Sequence, residues 1–299
     1  MLIVAIWPVF ALICIGYLMA RRNWPGAGFW PAAESLNYFL LFPALLLSSL
    51  AQAPLHSPEL PRLGAAAAVL IVAAVAVLMV GRWLRPMPPA RFGPAVQGVV
   101  RFNTYLALAV LSVLATRDGL AQAAVYLAVA VPLVNVLAVV ALSGGVRPWP
   151  ILRAVFANPL IMACVAGFGL AYFRRSLPPG GLDLLRLLGQ GSLPLGLLCV
   201  GAALRPSALR GDGMALLVLS GLRLAAMPLA AMMMAQAFGL GQTATLVLVV
   251  FSAVPTAPTA YVLTRKMGGD GTLMAGLVTA QTLAAMASVP LVLGLLGFG

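Results

Sequence analysis

The sequence predicts an all-helical protein that crosses a membrane about ten times. Three observations lead to this fold class: 63% of the 299 residues are hydrophobic, only 8% are charged, and the mean hydropathy is +1.06. Soluble domains carry about 25% charged residues, so the polar side chains here do not suffice to cover a water-exposed surface. The composition therefore excludes ordinary soluble enzymes and disordered proteins.

Ten apolar stretches fit the length of about 20 residues that a membrane-spanning helix requires. They cover residues 1–20, 34–53, 63–80, 96–115, 121–142, 151–173, 187–204, 214–238, 243–264 and 273–298. The first is apolar from Met1 and is followed by Arg21-Arg22, which reverses the order of a secretory signal peptide, so we expect a retained helix. Short loops that carry Pro, Gly and nearly all the charge separate the stretches, and no soluble domain is predicted.

Basic residues outnumber acidic ones by 18 to 6, which gives a formal net charge of +12. They stand singly or in pairs between apolar runs, which favours control of membrane topology over nucleic-acid binding. With the N-terminus outside, 11 basic residues fall in cytoplasmic loops and five in external loops. This bias predicts a multi-pass protein of the cytoplasmic (inner or plasma) membrane with an external N-terminus, although the external Arg174-Arg175 pair runs against it.

Cysteine and histidine offer no metal-binding or catalytic set. Cys14, Cys164 and Cys199 lie singly within apolar stretches, and His56 is the one histidine of the sequence. Neither a metal site nor a histidine-based triad can be assembled from them. We therefore predict that the protein is not an enzyme and carries no cofactor.

The two halves of the sequence agree at a nearly constant offset of 151 or 152 residues. The agreeing pairs are Pro8 and Pro159, Gly16 and Gly167, Tyr17 and Phe168, Pro43 and Pro194, and Asp118-Gly119 and Asp270-Gly271. Chance is the alternative, because the chain holds 30 Gly and 23 Pro. We predict two five-helix repeats, residues 1–145 and 146–299. Because five is odd, the second repeat starts on the opposite side of the membrane, which makes the repeats inverted, as in many secondary transporters.

Substrates of such transporters bind near the middle of the membrane, between paired broken helices, which here are helices 4 and 9. Helix 9 contains Pro255 and Pro258, and each removes a backbone donor, so we expect the helix to open there. A simple proline kink is the alternative. The offset of 152 brings Asn103 of helix 4 onto Pro255. The candidate substrate-binding residues are Arg101, Asn103, Thr104, Tyr105, Pro255, Thr256, Pro258, Thr259 and, as a second-line candidate, Asn135.

Arg101 is the charged residue best suited to bind a substrate. Arginine at the bilayer centre costs about 2.5 to 3.5 kcal/mol, and an anionic ligand would compensate for this. Snorkelling to the headgroups is the alternative for Arg101 and the preferred interpretation for Arg223 in helix 8. Asn37 and Gln281 are expected to bond across helices as structural contacts.

Acidic residues are expected only at helix ends and in loops. They are Glu34, Glu59, Asp118, Asp183, Asp212 and Asp270. Because a buried carboxylate is the usual carrier for a proton or a cation, this distribution favours an anionic substrate and leaves the coupling ion open.

Several motifs in order resemble the auxin efflux carrier family in its bacterial branch. They are residues 100–105, Asn158-Pro159, residues 252–257 and Gly268-Gly269-Asp270, with Pro43 and Pro194 in the paired second and seventh helices. The resemblance implies ten helices, a scaffold of helices 1, 2, 6 and 7, and a transport unit of helices 3–5 and 8–10. It also implies a crossover of helices 4 and 9 at the substrate site, elevator-like movement, and carboxylate substrates such as indole acetate, malate or malonate. Asn103 and Pro255 match the family's crossover asparagine and proline.

Two features depart from the family pattern. Many relatives have a proline shortly after the asparagine, where this chain has Ala107-Leu108, so helix 4 is expected to be less sharply broken than helix 9. The third span also lacks the acidic residue associated with the site of the plant carriers, which argues against proton-linked release.

The sequence thus predicts a secondary transporter that moves a small organic anion, a carboxylate, by elevator-type alternating access. Its partners are the anion and the lipid bilayer, and the oligomeric state is open, with a homodimer as one option. A non-transporting membrane sensor for the same ligand and a sodium-coupled anion symporter are the alternatives.

Overall fold

A computed structural model gives an all-helical fold over the residues that it describes, 2–26, 28–51, 59–115, 117–143, 159–173 and 177–298. The helices are α1 Leu2–Arg21, α2 Phe29–Leu50, α3 Glu59–Leu84, α4a Pro89–Val100, α4b Thr104–Leu114, α5 Arg117–Ser143, α6 Pro159–Tyr172, α7 Gly181–Ala202, α8 Gly213–Ala237, α9a Gln242–Ala253, α9b Thr259–Lys266 and α10 Gly271–Leu295. Eight segments, with α4a and α4b counted together, are long and apolar enough to cross a membrane, while α6 and α9a are shorter apolar helices. The predicted fold class is confirmed. His56, Asn158 and the start of the predicted span 151–173 lie outside the described residues.

The helices pack into two groups. In the first, α1 lies along α7, and α2 packs against α6 and α7. In the second, α5 packs against α3, α4a and α9a, and α10 packs against α4a, α8 and both parts of α9. This grouping agrees with the predicted division into a scaffold and a transport unit, which stays a prediction.

Glycines let α1 approach α7 so closely that backbone touches backbone. A Cβ atom added at Gly16 would lie 2.1 Å from the carbonyl oxygen of Leu198, and one added at Gly201 would lie 1.9 Å from that of Ile13. Small residues bring membrane helices together because apolar side chains gain little by leaving lipid. These two glycines therefore set the distance between α1 and α7.

The helix bounds agree with the predicted repeat. Helices α2 and α7 begin at residues 29 and 181 and end at 50 and 202, an offset of 152 in both cases. Helices α4a and α9a begin at 89 and 242 and end at 100 and 253, an offset of 153. Contacts recur in the same way, since Gly16 packs against Leu198 and Gly167 packs against Leu47. The two glycines are 151 residues apart, and so are the two leucines. The inverted repeat stays a prediction that these bounds and contacts support.

Arg91 joins three helices at one membrane face. It forms an ion pair with Asp212, and its Nε atom lies 3.8 Å from the carboxylate of Asp270. Both aspartates are N-caps, because Asp212 accepts from the N–H of Ala215 at 3.1 Å and Asp270 from that of Leu273 at 2.9 Å. The start of α4a is thereby tied to the starts of α8 and α10.

Asp212→Asn should remove a contribution to stability that depends on pH. The hydrogen bond from Arg91, and then that from the N–H of Ala215, hold the pKa of Asp212 below its usual value. A pKa depressed by folding adds stability above the unfolded-state pKa of about 4, and this stability is lost as the pH falls through the folded-state pKa. We expect the variant, which keeps an N-capping side chain, to melt below the wild type at pH 7.

Thermal unfolding in detergent at a series of pH values measures the effect. The difference in Tm between wild type and Asp212→Asn should shrink to zero below the folded-state pKa. A difference that stays constant over the whole acidic range would contradict this role of the ion pair.

Candidate functional site

The breaks in α4 and α9 meet inside the protein. Residues 101–103 separate α4a from α4b, and residues 254–258 separate α9a from α9b. The backbone N–H of Asn103 donates to the carbonyl oxygen of Pro255 at 2.8 Å, so the two breaks touch where the offset of 152 pairs them. The break in α4 is the shorter of the two, in line with the missing proline.

Asn103 provides the reason why α4 breaks without a proline. Its side-chain Oδ1 accepts from the N–H of Leu106 at 3.2 Å, which makes it the N-cap of α4b. In a continuous helix, the N–H of Asn103 would donate to the carbonyl of Val99, four residues earlier. It donates to Pro255 instead, and the carbonyl of Val99 is left without its helical partner.

Arg223 satisfies the carbonyls that both breaks leave free. Pro255 and Pro258 have no N–H to give to their helical acceptors, the carbonyls of Phe251 and Val254. Arg223 donates to these two carbonyls, at 2.7 Å to that of Val254, and its Nη1 donates to the carbonyl of Val99 at 2.9 Å. One guanidinium thus replaces three missing backbone donors, and its positive charge faces the C-terminal, negative ends of α4a and α9a.

The snorkelling expected of Arg223 is wrong. Its side chain is only 1% exposed, and its donors point to the crossover and not to a membrane face. It lies in a π-helical turn, Leu222–Ala226, and such turns occur often at functional sites. Two prolines three residues apart were the signal in the sequence, because they leave two carbonyls that require a donor from elsewhere.

Further polar side chains complete the frame of the crossover. Gln281 of α10 accepts from the N–H of Thr256 at 2.9 Å and donates to the carbonyl of Gly98 at 2.9 Å. The hydroxyl of Thr256 donates to the carbonyl of Gln97 at 3.0 Å. Gln281 bonds across helices as expected, and so does Asn37, which exchanges two hydrogen bonds with Ser192 of α7. Thr256 is fully buried in this frame.

A cavity of about 80 Å³ lies beside the crossover and gathers seven of the nine candidate residues. These are Arg101, Asn103, Thr104, Tyr105, Asn135, Pro258 and Thr259. Pro255 and Thr256 are not among its lining residues and belong to the frame behind it. The second-line candidate Asn135 reaches the cavity from α5.

Arg101 faces this cavity from deep within the protein. Helix α4a begins at Pro89, earlier than the predicted span, so about 18 Å of helix precede Arg101. That length exceeds the reach of an arginine side chain, which argues against snorkelling to this face. Its bonds to Gln97 and Thr259 are long, at 3.4 Å and 3.3 Å, and no carboxylate of the described residues lies within ion-pair distance.

Donors of hydrogen bonds converge on the same cavity. The Nδ2 atom of Asn103 is buried and has no hydrogen-bond partner in the described part of the chain. Helices α4b and α9b begin at the cavity with Thr104 and Thr259, so two helix N-termini add partial positive charge. Guanidinium, amide and helix ends together suit an anion.

Sequence reasoning missed three cavity residues of α2, namely Glu34, Tyr38 and Phe42. Glu34 was expected to lie at a helix end and was not among the candidate site residues. It does lie in the second turn of α2, but the cavity extends to it. Only the packing of α2 beside α7 reveals this, and the sequence carries no comparable signal.

A comparison with known protein families gives a match in the half of the chain that contains α9. Residues 149–293 match the family described as "Membrane transport protein", which is the auxin efflux carrier family. The second half of the chain, residues 149–293, therefore carries the sequence pattern of the auxin efflux carrier family. No curated protein matches the chain.

The match to the auxin efflux carrier family adds function to the fold. The family consists of membrane transport proteins, and the chain has eight helical segments suited to span a membrane within its described residues. It is therefore a multi-pass membrane transporter. The matched range includes α9, α10 and Arg223, so most of the crossover frame lies inside it.

Proposed function

We propose that this protein, whose second half matches the auxin efflux carrier family, is a secondary transporter for a small organic anion, most simply a carboxylate. The observation that carries the proposal is Arg101, a deep guanidinium without a carboxylate partner among the described residues, which faces a cavity at two helix N-termini. A carboxylate can take two hydrogen bonds from one guanidinium. Asn103 would donate a further bond from its free Nδ2 atom.

The substrate would be held by groups that attract negative charge and limit size. The threonines 104 and 259 add hydroxyl donors at the first residues of α4b and α9b. Phe42 and Tyr105 close the cavity with aromatic rings, whose centroids lie 5.1 Å apart. Malate, malonate and an auxin-like acid are the substrates that we propose to test.

Alternating access by elevator-type movement fits the packing at this cavity. Tyr105 of the second helix group lies against Gly196 of the first, where an added Cβ atom would come within 2.6 Å of its ring. A flat ring on a glycine surface offers little resistance to sliding. We infer that helices 3–5 and 8–10 move against helices 1, 2, 6 and 7, in the cytoplasmic membrane with the N-terminus outside.

Counterflow of labelled malate, malonate and indole acetate into proteoliposomes tests the proposal. Arg101→Gln combined with Asn103→Ala should weaken substrate binding by more than about 100-fold, because the variant loses at least two charge-assisted hydrogen bonds of about 1.5 to 3 kcal/mol each. Arg85→Gln, an exposed arginine outside the cavity, is the matched control and should transport like the wild type. Unchanged counterflow in the double variant would remove this cavity from consideration as the substrate site.

The same assay separates the alternatives. A sensor would bind the anion, seen as thermal stabilisation, without counterflow. A sodium-coupled symporter would accumulate the anion when a sodium gradient is the sole driving force. Neither alternative has an observation of its own in the described residues, where no group of three His, Cys, Asp or Glu residues could hold a metal ion.

A further inference from the structure

Glu34 connects the candidate substrate cavity with a second one. The second cavity, of about 310 Å³, shares Glu34, Cys199 and Pro258 with the first. Its lining residues come from the first turns of α2 and α10, from the end of α7 and from α9b. It therefore lies at the same membrane face as Arg21, the last residue of α1. Glu34 therefore stands on the path between that face and the crossover.

The carboxylate of Glu34 has no ion-pair partner in the described part of the chain. It is half-buried, and no lysine or arginine of the described residues lies within 4 Å of it. The basic side chains that share its two cavities have other partners: Arg101 contacts Thr259, and Arg205 donates to the hydroxyl of Tyr261 at 2.8 Å. An ionised carboxylate in such surroundings is unfavourable unless it is paired or neutralised.

Titratable and charged groups reach Glu34 from every neighbouring element. They are Tyr38 on α2, Arg101 and Tyr105 at the crossover, Cys199 and Arg205 at the end of α7, and Tyr261 on α9b. In this set, the two arginines attract an anionic substrate, and Glu34 alone repels it. The charge of Glu34 thus works against the charge of the substrate in one shared space.

We propose that Glu34 takes up a proton when the anion binds, so that protonation of this carboxyl group and occupation of the site are linked. The proposal rests on the proposed function, since it takes an anion beside Arg101 as given. With Glu34 ionised, the anion enters a cavity that already holds a negative charge. With Glu34 protonated, the arginine and the helix N-termini act without opposition, and by linkage the bound anion favours the protonated form equally.

The sequence argued against proton linkage because the third span has no acidic residue. The cavity geometry supplies that function from a different helix, α2. One carboxylate is enough to bind a proton, whereas a sodium ion needs several oxygen ligands. The proton is therefore the ion that this site fits.

Binding measurements on the detergent-purified full chain test the linkage. The probes are malonate and methanedisulfonate, which has a similar shape but keeps both charges at every pH used. For the disulfonate, wild-type affinity should rise roughly tenfold from pH 8 to pH 5, the size expected for two charges in one cavity at an intermediate dielectric constant. Calorimetry in two buffers of different ionisation enthalpy should give net proton uptake on binding.

Glu34→Gln should bind the disulfonate equally well at all pH values, at the tighter wild-type level, and without proton uptake. Asp183→Asn is the control, since it neutralises an exposed carboxylate at the start of α7 and should behave like the wild type. A Glu34→Gln variant with the pH dependence of the wild type would overturn the proposal while leaving the proposed function intact. Failure of the wild type to bind or transport any anion would instead refute the proposed function, and the linkage would fall with it.

Discussion

Arg223→Met is expected to lower the free energy of unfolding by about 4 kcal/mol, because it leaves three buried carbonyl groups without a donor. The carbonyls belong to Val99, Phe251 and Val254, at the ends of α4a and α9a. Methionine matches the length of the side chain but donates no hydrogen bond. SDS-induced unfolding of the purified protein in mixed micelles measures the loss.

Two companion variants make this result specific. Arg85→Met removes an exposed arginine and should change stability by less than about 0.5 kcal/mol. Arg223→Lys keeps the charge but loses the planar fork of donors, and it should fall between the wild type and methionine. If Arg223→Met were as stable as Arg85→Met, the guanidinium would not be what holds the crossover together.

Gly201→Ala is the second substitution with a large expected effect, a loss of about 2 kcal/mol or more. The added Cβ atom would lie 1.9 Å from the carbonyl oxygen of Ile13, and neither backbone can yield without moving α1 away from α7. The same unfolding assay measures the effect. Gly169→Ala is the control, because no atom lies within 4 Å of a Cβ atom there and alanine favours the helix by up to about 1 kcal/mol.

A drop in stability for Gly201→Ala alone supports close packing of α1 and α7. Equal effects of the two substitutions would mean that these helices have room to separate. The contrast is informative because both sites are glycines within helices, so the change in intrinsic helix propensity is the same and the two sites differ in the space around the added Cβ atom.

The helices and both breaks were predictable from the sequence, for reasons that are local. A long apolar stretch in a membrane forms a helix because a helix pairs all the backbone N–H and C=O groups of its interior internally. Pro255 and Pro258 remove two donors within one turn, which opens α9. The second break, at Asn103, was predictable because Asn103 lies among polar residues and pairs with Pro255 at the repeat offset of 152, although α4 has no proline there.

Side-chain partners were beyond the sequence because they depend on where each helix begins and how it is rotated. Helix α4a begins at Pro89 and not at the predicted residue 96, and this difference makes Arg101 a deep residue. The π-helical turn at Arg223 adds a residue to one turn and changes the direction of every side chain after it. Glu34 reaches the cavity only because α2 packs beside α7.

The guanidinium of Arg223 also restricts how a binding site of this kind can work. A single side chain from α8 donates hydrogen bonds to the backbone of α4 and of α9. The three helices therefore cannot separate at the crossover without breaking these bonds. The proposed anion site would then keep its shape throughout a transport cycle. Access from the two sides of the membrane would have to change by displacement of the whole site relative to its surroundings, and not by rearrangement of the residues that form it.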